Sequence, residues 1–320
     1  MIIDLVEWLE LLMKKIRFYT LLYVDKSFRS LSKNGVRGNF ESQIEIHVKC
    51  CEALNKSLAY FTSYDLVVLT NDKSFLEGYS SELKIVEICF SLNVPKEIDF
   101  YSAHFKFDVF KYFVSKEDGI DYNILIDNDV LCIGDVPLNL INCVEKNVPT
   151  FYDVTNMRFP AYTRERLIAD KEFFLENERS IGIWAGGEFI GGDKKFFKQL
   201  SERVKRDIDL YFNNYRHFHH QGDEVLLSVA IERMLRSGIY VADVNSFRGI
   251  SRFWSLPTLH FQNSWKTFRG NFLIHLPADK FYIATLENID SNLGKRLGAY
   301  FFWKLLIGRL KSLVRTRGKK

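Results

Sequence analysis

Short, uninterrupted aliphatic runs separated by segments of helical period are what most restrict the fold of this chain. Asp65 to Thr70 reads Asp-Leu-Val-Val-Leu-Thr, and Tyr122 to Ile126 reads Tyr-Asn-Ile-Leu-Ile. A strand that is apolar on successive residues has to be covered on both faces, the condition of a strand held between two helical layers. Further strand candidates are Ile16 to Val24, Leu83 to Phe90, Pro149 to Val154, Trp184 to Ile190 and Ile239 to Val244. Helical spacing of apolar residues marks Met1 to Lys15, Glu41 to Tyr60, Ser102 to Ser115, Lys194 to Phe212 and Glu224 to Arg236. The alternation predicts an α/β fold with a mostly parallel central sheet flanked by helices. With no internal repeat, the simplest division is one domain, 1–289, followed by a basic amphipathic tail, 290–320.

At 320 residues, 47% hydrophobic and 26% charged, the chain can bury a sizeable core. Its 28 Phe and 15 Tyr suit stacking on a base or sugar, and suit a Phe-heavy core equally well. The net charge of +4 does not call for a nucleic-acid partner. No run reaches the roughly 18 apolar residues of a membrane span. Asp4, Glu7 and Glu10 precede the first basic residue, opposite to the charge order of a secretory signal, so a cytoplasmic location is expected. Cys50, Cys51, Cys89, Cys132 and Cys143 have neither metal-type spacing nor an even count, and are expected to be reduced.

Asp127 and Asp129 follow Ile124-Leu125-Ile126, with Asn128 between them. Ligands of open α/β sheets gather outside the carboxyl ends of the strands. Two carboxylates spaced i, i+2 beyond a buried strand both reach one hard cation where the chain turns. Magnesium or manganese held by one or two carboxylates keeps positions open for diphosphate oxygens. Unpaired acids beside an apolar strand are costly, so a cation or a basic partner is expected. The plainer reading, two solvated acids on a loop, is disfavoured by the strand before them and by Val130-Leu131-Cys132-Ile133 after them.

Tyr122 to Asp135, Tyr-Asn-Ile-Leu-Ile-Asp-Asn-Asp-Val-Leu-Cys-Ile-Gly-Asp, resembles the Asp-x-Asp strand of GT-A-fold glycosyltransferases. Its Gly134-Asp135 is similar to the continuation common in glycosyltransferase family 8. Trp184 to Gly192, Trp-Ala-Gly-Gly-Glu-Phe-Ile-Gly-Gly, resembles a strand of the family 6 α-galactosyl and N-acetylgalactosaminyl transferases. Gly222-Asp223-Glu224 before a helix resembles that family's His-Asp-Glu motif. The three segments stand in the family order and cover roughly Ser102 to Arg236, whereas the first hundred residues match in strand pattern only. The resemblance implies a GT-A fold and a hexosyltransferase dependent on manganese or magnesium. Its donor is a nucleoside-diphosphate sugar and its acceptor a saccharide hydroxyl of a surface or lipid-linked glycan, such as lipopolysaccharide or capsule.

The same resemblance implies site residues. Asp127 and Asp129 hold the cation, and Asp127 also contacts the donor. Gly186 and Gly187 let sugar and acceptor come close to the backbone, as glycine does wherever a ligand approaches. Asp223 contacts donor-sugar hydroxyls. Glu224 faces the anomeric carbon as nucleophile or charge stabiliser, or acts as base in an inverting enzyme; the family 6 likeness leans to retention. A plain helix-capping role also suits one of these two acids. His275 in Phe-Leu-Ile-His-Leu-Pro-Ala-Asp-Lys resembles the family 8 element whose histidine is the third metal ligand and whose lysine, here Lys280, contacts phosphate. It departs from that element by one residue of spacing, a missing glycine and an absent Pro-Trp, and His260 is the weaker alternative. Lys106 and Lys111, on the helix before the acids, and Tyr23 and Asp25, after the first strand, complete the expected donor site. His217, His219 and His220 read as acceptor-side or surface residues.

From Leu297 onward, Phe301, Phe302, Trp303 and several leucines are interspersed with basic residues, and no acid occurs between Lys304 and Lys320. Such a helix lies on an anionic membrane surface, peripheral to the inner face, or docks on the protein's own core. Two other functions fit the pattern less well. A sugar-nucleotide nucleotidyltransferase needs a glycine-rich phosphate loop after its first strand, which Asp25-Lys-Ser-Phe-Arg-Ser lacks. A non-catalytic membrane-docked binding protein has no need of both aspartates together with Asp223-Glu224.

Overall fold

The computed structural model describes residues 14–27, 38–157, 163–176, 178–255 and 262–317. The helix expected over Met1 to Lys15 lies almost wholly outside these residues, as does His260. The strands are β1 (Ile16–Leu21), β2 (Leu66–Thr70), β3 (Lys84–Glu87), β4 (Tyr122–Ile126), β5 (Val130–Cys132), β6 (Thr150–Asp153), β7 (Ala185–Gly192), β8 (Ala242–Asp243), β9 (Ile250–Arg252) and β10 (Leu273–His275). The helices that shape the site are α1 (Phe40–Phe61), α2 (Lys106–Ser115), α3 (Lys194–Asn214), α4 (Asp223–Arg236), α5 (Lys280–Ile283) and α6 (Leu293–Arg317).

Seven strands form the central sheet in the order β3-β2-β1-β4-β7-β6-β8. All neighbours are parallel except β7, which runs against both β4 and β6. The expected α/β class with a mostly parallel sheet between helices is therefore what the chain forms. The continuous apolar runs have the expected cause. Ile124 and Ile126 point into a core with Phe18, Leu54 and Leu58 on the α1 side. Leu125 points the other way, into a core with Phe110, Phe197 and Leu226 from α2, α3 and α4. Each such side chain contributes about 1.5–3 kcal/mol by leaving water, so β4 is apolar on both faces from Ile124 to Ile126.

A second sheet, β5-β10-β9, was not expected from the sequence. It packs on α1 and on α6, whose inward residues Leu293, Leu297 and Phe301 are buried beside Phe253, Ile274 and Ile283. The tail thus contributes one face to the body's core. Its other face exposes Phe302, Trp303 and Ile307 at 62, 59 and 48%. Among the described residues, no helix is long and apolar enough to cross a membrane. All five cysteines are free, and Cys50, Cys51 and Cys132 are buried.

Candidate active site

The site is assembled by strand register. β4 of the large sheet ends at Ile126 and β5 of the small sheet starts at Val130, so Asp127-Asn128-Asp129 is the corner between the two sheets. Across the β5–β10 ladder His275 stands opposite Val130, and the Leu276 N–H donates to the carbonyl of Asp129 at 3.0 Å. This pairing brings His275 to the aspartates. Across the β4–β7 ladder Ile126 stands opposite Phe189, which brings Glu188 level with Asp127, whose N–H donates to the Glu188 carbonyl at 3.4 Å.

Asp127, Asp129 and His275 each present one ligand atom, and these atoms lie within 4.8 Å of one another. His275 Nε2 is 3.0 Å from Asp129 Oδ1 and 4.0 Å from Asp127 Oδ2. Its Nδ1 is 3.0 Å from Glu188 Oε1, and a carboxylate there only accepts, so Nδ1 carries the proton. Asp129 is buried, whereas the Asp127 side chain is 29% exposed.

Basic groups surround these acids. Lys106, in the first turn of α2, places Nζ 2.8 Å from Asp127 Oδ1 and 3.2 Å from Asp223 Oδ2, and donates to the Gly187 carbonyl at 2.8 Å. Lys280 at the start of α5 pairs with Asp129. Arg252 donates to both oxygens of Glu188, at 2.6 and 2.5 Å, and to Glu224 Oε1 at 2.7 Å. Glu224 accepts further from Trp184 Nε1 at 2.7 Å and from the Gly187 N–H at 3.3 Å, with His220 Nε2 3.3 Å from Oε2. Asp223 and Glu224 do not cap α4, whose N-cap is Gly222 with no side-chain bond; both carboxylates turn into the cluster.

The glycines of β7 make room for this network. A Cβ on Gly187 would lie 2.8 Å from Asp223 Oδ2 and 3.1 Å from Lys106 Nζ, and one on Gly186 would lie 2.5 Å from Glu188 Oε2.

Burial and charge pull the ionisable groups apart. Burial raises Asp127 above the usual carboxylate range, against the pull of Lys106 and His275. Burial also raises Asp223, opposed by Lys106. Burial works on Asp129 too, but His275 and Lys280 hold it well below that range. Glu188, despite burial, is held at about 2 by Arg252 and His275, and Glu224 is held well below its usual value by Arg252 and His220. His275 resists the downward effect of burial and is raised to about 9 by Asp129 and Glu188.

Five carboxylates (Asp127, Asp129, Glu188, Asp223, Glu224) face three permanent cations (Lys106, Lys280, Arg252). With His275 neutral, as a metal ligand must be, the surplus of two negative charges is that of one divalent cation, and the donor set of two carboxylates and an imidazole suits manganese or magnesium. The residues present fit such an ion.

The structure thus brings together Asp127, Asp129, His275, Lys106, Lys280, Gly186, Gly187, Asp223 and Glu224. Lys111 lies elsewhere: its ammonium bonds Asp108 at 2.9 Å and Ser91 at 3.1 Å on the outside of α2. Tyr23 stands two residues beyond β1, stacked on Phe105 with ring centroids 3.9 Å apart, and Asp25 accepts from the Ser27 N–H at 2.9 Å. Of the three histidines near α4, His219 is tied to Asp170 at 2.8 Å and only His220 reaches the cluster. Glu188 and Arg252 were missed by sequence reasoning. The available signal was a lone acid within the apolar, glycine-rich run Ala185–Gly192, and a lone arginine between Ile250 and Phe253.

No protein-family model and no curated protein matches the sequence. Among solved structures, the chain is similar to mouse xyloside xylosyltransferase 1 in its apo form, with a TM-score of 0.47 and 11% identity over 82% of this chain and 97% of that one. A likeness this loose carries no argument about function, which has to come from the site.

Proposed function

We propose that the chain is a divalent-metal-dependent glycosyltransferase of the GT-A type, moving a hexose-type sugar from a nucleoside-diphosphate sugar to a saccharide hydroxyl. The observation that carries this reading is the convergence of Asp127, Asp129 and His275 at the carboxyl end of β4, inside a cluster with two more carboxylates than lysines and arginines. These three residues hold the ion, which when bound neutralises charge on the departing diphosphate. Lys280, beside Asp129, and Lys106, beside Asp127, offer ammonium groups to the donor. Asp223 is offered to the donor-sugar hydroxyls. Glu224, kept ionised by Arg252, Trp184 and His220, is suited to stabilise positive charge at the anomeric carbon or to attack it. A carboxylate so strongly paired is poorly disposed to take a proton from an acceptor hydroxyl, which favours retention over inversion.

The test is a panel of nucleotide sugars with manganese, read as nucleoside diphosphate release. Slow, metal-dependent hydrolysis of one donor is expected. In Asp129→Ala it falls by more than about 100-fold, the loss of several kcal/mol of charge stabilisation. Absence of metal-dependent binding of every nucleotide sugar sinks the reading.

We further propose that the outer face of α6 rests on an anionic membrane surface, peripheral to its inner face, where a lipid-linked glycan acceptor is at hand. Phe302, Trp303 and Ile307 are exposed on a helix rich in lysine and arginine, and Phe281 of the adjacent α5 is 50% exposed. Leu297 and Phe301 belong to the core, so the test substitutes the outer face instead of removing the helix. Phe302→Glu with Trp303→Glu is expected to abolish binding to phosphatidylglycerol vesicles and spare activity on a soluble acceptor; undiminished vesicle binding refutes the docking.

A further inference from the structure

We infer that Glu188 and Arg252 act as one positioning unit that ties the imidazole of His275 to the carboxylate of Glu224, so that the metal-side ligand and the reacting carboxylate are set by a single buried frame. The inference rests on the function proposed above. The four groups come from β10, β7, β9 and α4, and each touches the next: His275 Nδ1 to Glu188 Oε1 at 3.0 Å, Glu188 to Arg252 at 2.6 and 2.5 Å, Arg252 Nη2 to Glu224 Oε1 at 2.7 Å.

Three features of the fold are spent on this chain of contacts. Glu188 is fully buried in a strand whose other positions are small or apolar, a costly place for a charge unless its partners are fixed. Gly186 leaves the space that Glu188 Oε2 fills, since a Cβ there would lie 2.5 Å from it. Arg252 is fixed from the backbone: it stands opposite His275 in the β9–β10 ladder, and its N–H donates to the Tyr152 hydroxyl at 2.9 Å.

The chemistry follows from the donors and acceptors. Glu188 holds the proton-bearing Nδ1 edge of His275, which turns Nε2 toward Asp129 and Asp127. Partners of this kind set metal affinity or activity by about 10–100-fold. The planar guanidinium satisfies both oxygens of Glu188 and still spans to Glu224, keeping two carboxylates together that otherwise repel. A lysine supplies the charge but not the fork.

The experiment measures manganese binding directly, by the loss of the free-ion paramagnetic resonance signal, beside kcat and KM for donor hydrolysis. Glu188→Gln is expected to weaken manganese binding roughly 10–100-fold. Arg252→Lys is expected to lower kcat roughly 10–100-fold with donor KM unchanged, because Glu224 loses its alignment while the donor contacts stay. In the double variant the kcat loss is smaller than the product of the single losses, as for residues that act together. Glu188→Asp keeps the buried charge and shifts it by one methylene, and is expected to weaken manganese binding to a smaller degree should Glu188→Gln not fold. Wild-type manganese affinity in the Glu188 variants, or kcat losses that multiply, overturns the inference. A wild-type protein that binds no manganese overturns the proposed function instead, so the two failures are told apart.

Discussion

Helix α4 carries buried carboxylates at both of its ends, and the two ends are built on opposite terms. At the C-terminal end, Glu232 is fully buried and accepts from Lys171 at 2.6 Å, Arg236 at 2.9 Å, Ser180 Oγ at 2.8 Å and the Ile181 N–H at 2.9 Å. Arg236 also meets Glu178 at 3.0 Å, so two acids face two bases. At the N-terminal end, Asp223 and Glu224 join a cluster with two more acids than lysines and arginines, and one member, Asp127, opens to solvent. Buried charge that serves the fold is neutralised; the surplus at the other end has a use only if something positive arrives. The pairing at each end is dictated by the same rules, so the leftover charge is what marks the site.

The contrast can be broken most forcefully at the balanced end. Lys171→Met leaves Glu232 short of its closest cation and is expected to cost about 3–5 kcal/mol in denaturant unfolding, while manganese affinity stays that of the wild type. Equal stability in that variant would remove the distinction between the two ends.

Acid separates neutral burial from charged burial. His104 is fully buried, its Nδ1 3.2 Å from the Phe100 carbonyl and its Nε2 3.4 Å from the Tyr211 hydroxyl, and burial lowers its pKa from 6.5 to about 4. A folded value below the unfolded one means stability that is fully present above pH 6.5 and lost as the pH falls to about 4. The share of His104 is about 3 kcal/mol at most, and His104→Phe is expected to flatten the unfolding free energy by that amount across the window. An unchanged slope assigns the acid sensitivity elsewhere.

At the surplus end, manganese at a hundred times its dissociation constant should stabilise the protein by about 2.7 kcal/mol, read as a rise in melting temperature. The rise should vanish in Asp129→Ala. The smallest effect sharpens the comparison most. Because Lys106 keeps Asp223 and the Gly187 carbonyl as partners, and an amide oxygen still accepts from it, Asp127→Asn in chelator-treated protein should cost about 1 kcal/mol or less. A large destabilisation there would mean that the cluster serves the fold after all.

Much of this was legible in the chain. β4 occupies the five residues expected of it, since only a strand covered on both faces needs Ile-Leu-Ile at successive positions. The helices over Lys194–Asn214 and Asp223–Arg236 follow their periods closely. The small sheet was not legible, because β5, β9 and β10 are three residues each and too short to show a period. The proximity of His275 to the aspartates comes from the β5–β10 register, a pairing of residues far apart in sequence. Arg252 and Glu188 meet for the same reason, 64 positions apart. Lys106 and Lys111 looked alike in sequence, yet five residues of helix turn the second well away from the first, and only Lys106 faces the acids. The strand expected over Ile239 to Val244 shrinks to Ala242–Asp243, at the sheet's edge beyond β6.

The corner at Asp127-Asn128-Asp129 has a last consequence, for how the chain can change over time. Its first aspartate hangs from the large sheet and its second from the small one, with three residues between the strands. A single residue added between Leu273 and His275 shifts the side chains beyond it to the opposite face of the ladder and turns a ligand away, and one added within the corner alters the span that holds the two aspartates together. Length variation is therefore barred from this seam, while connections at the other end of the sheet, such as the turn before β4, remain free to lengthen. Whatever diversity of substrate this scaffold supports has to be written in its loops, around a corner of fixed length.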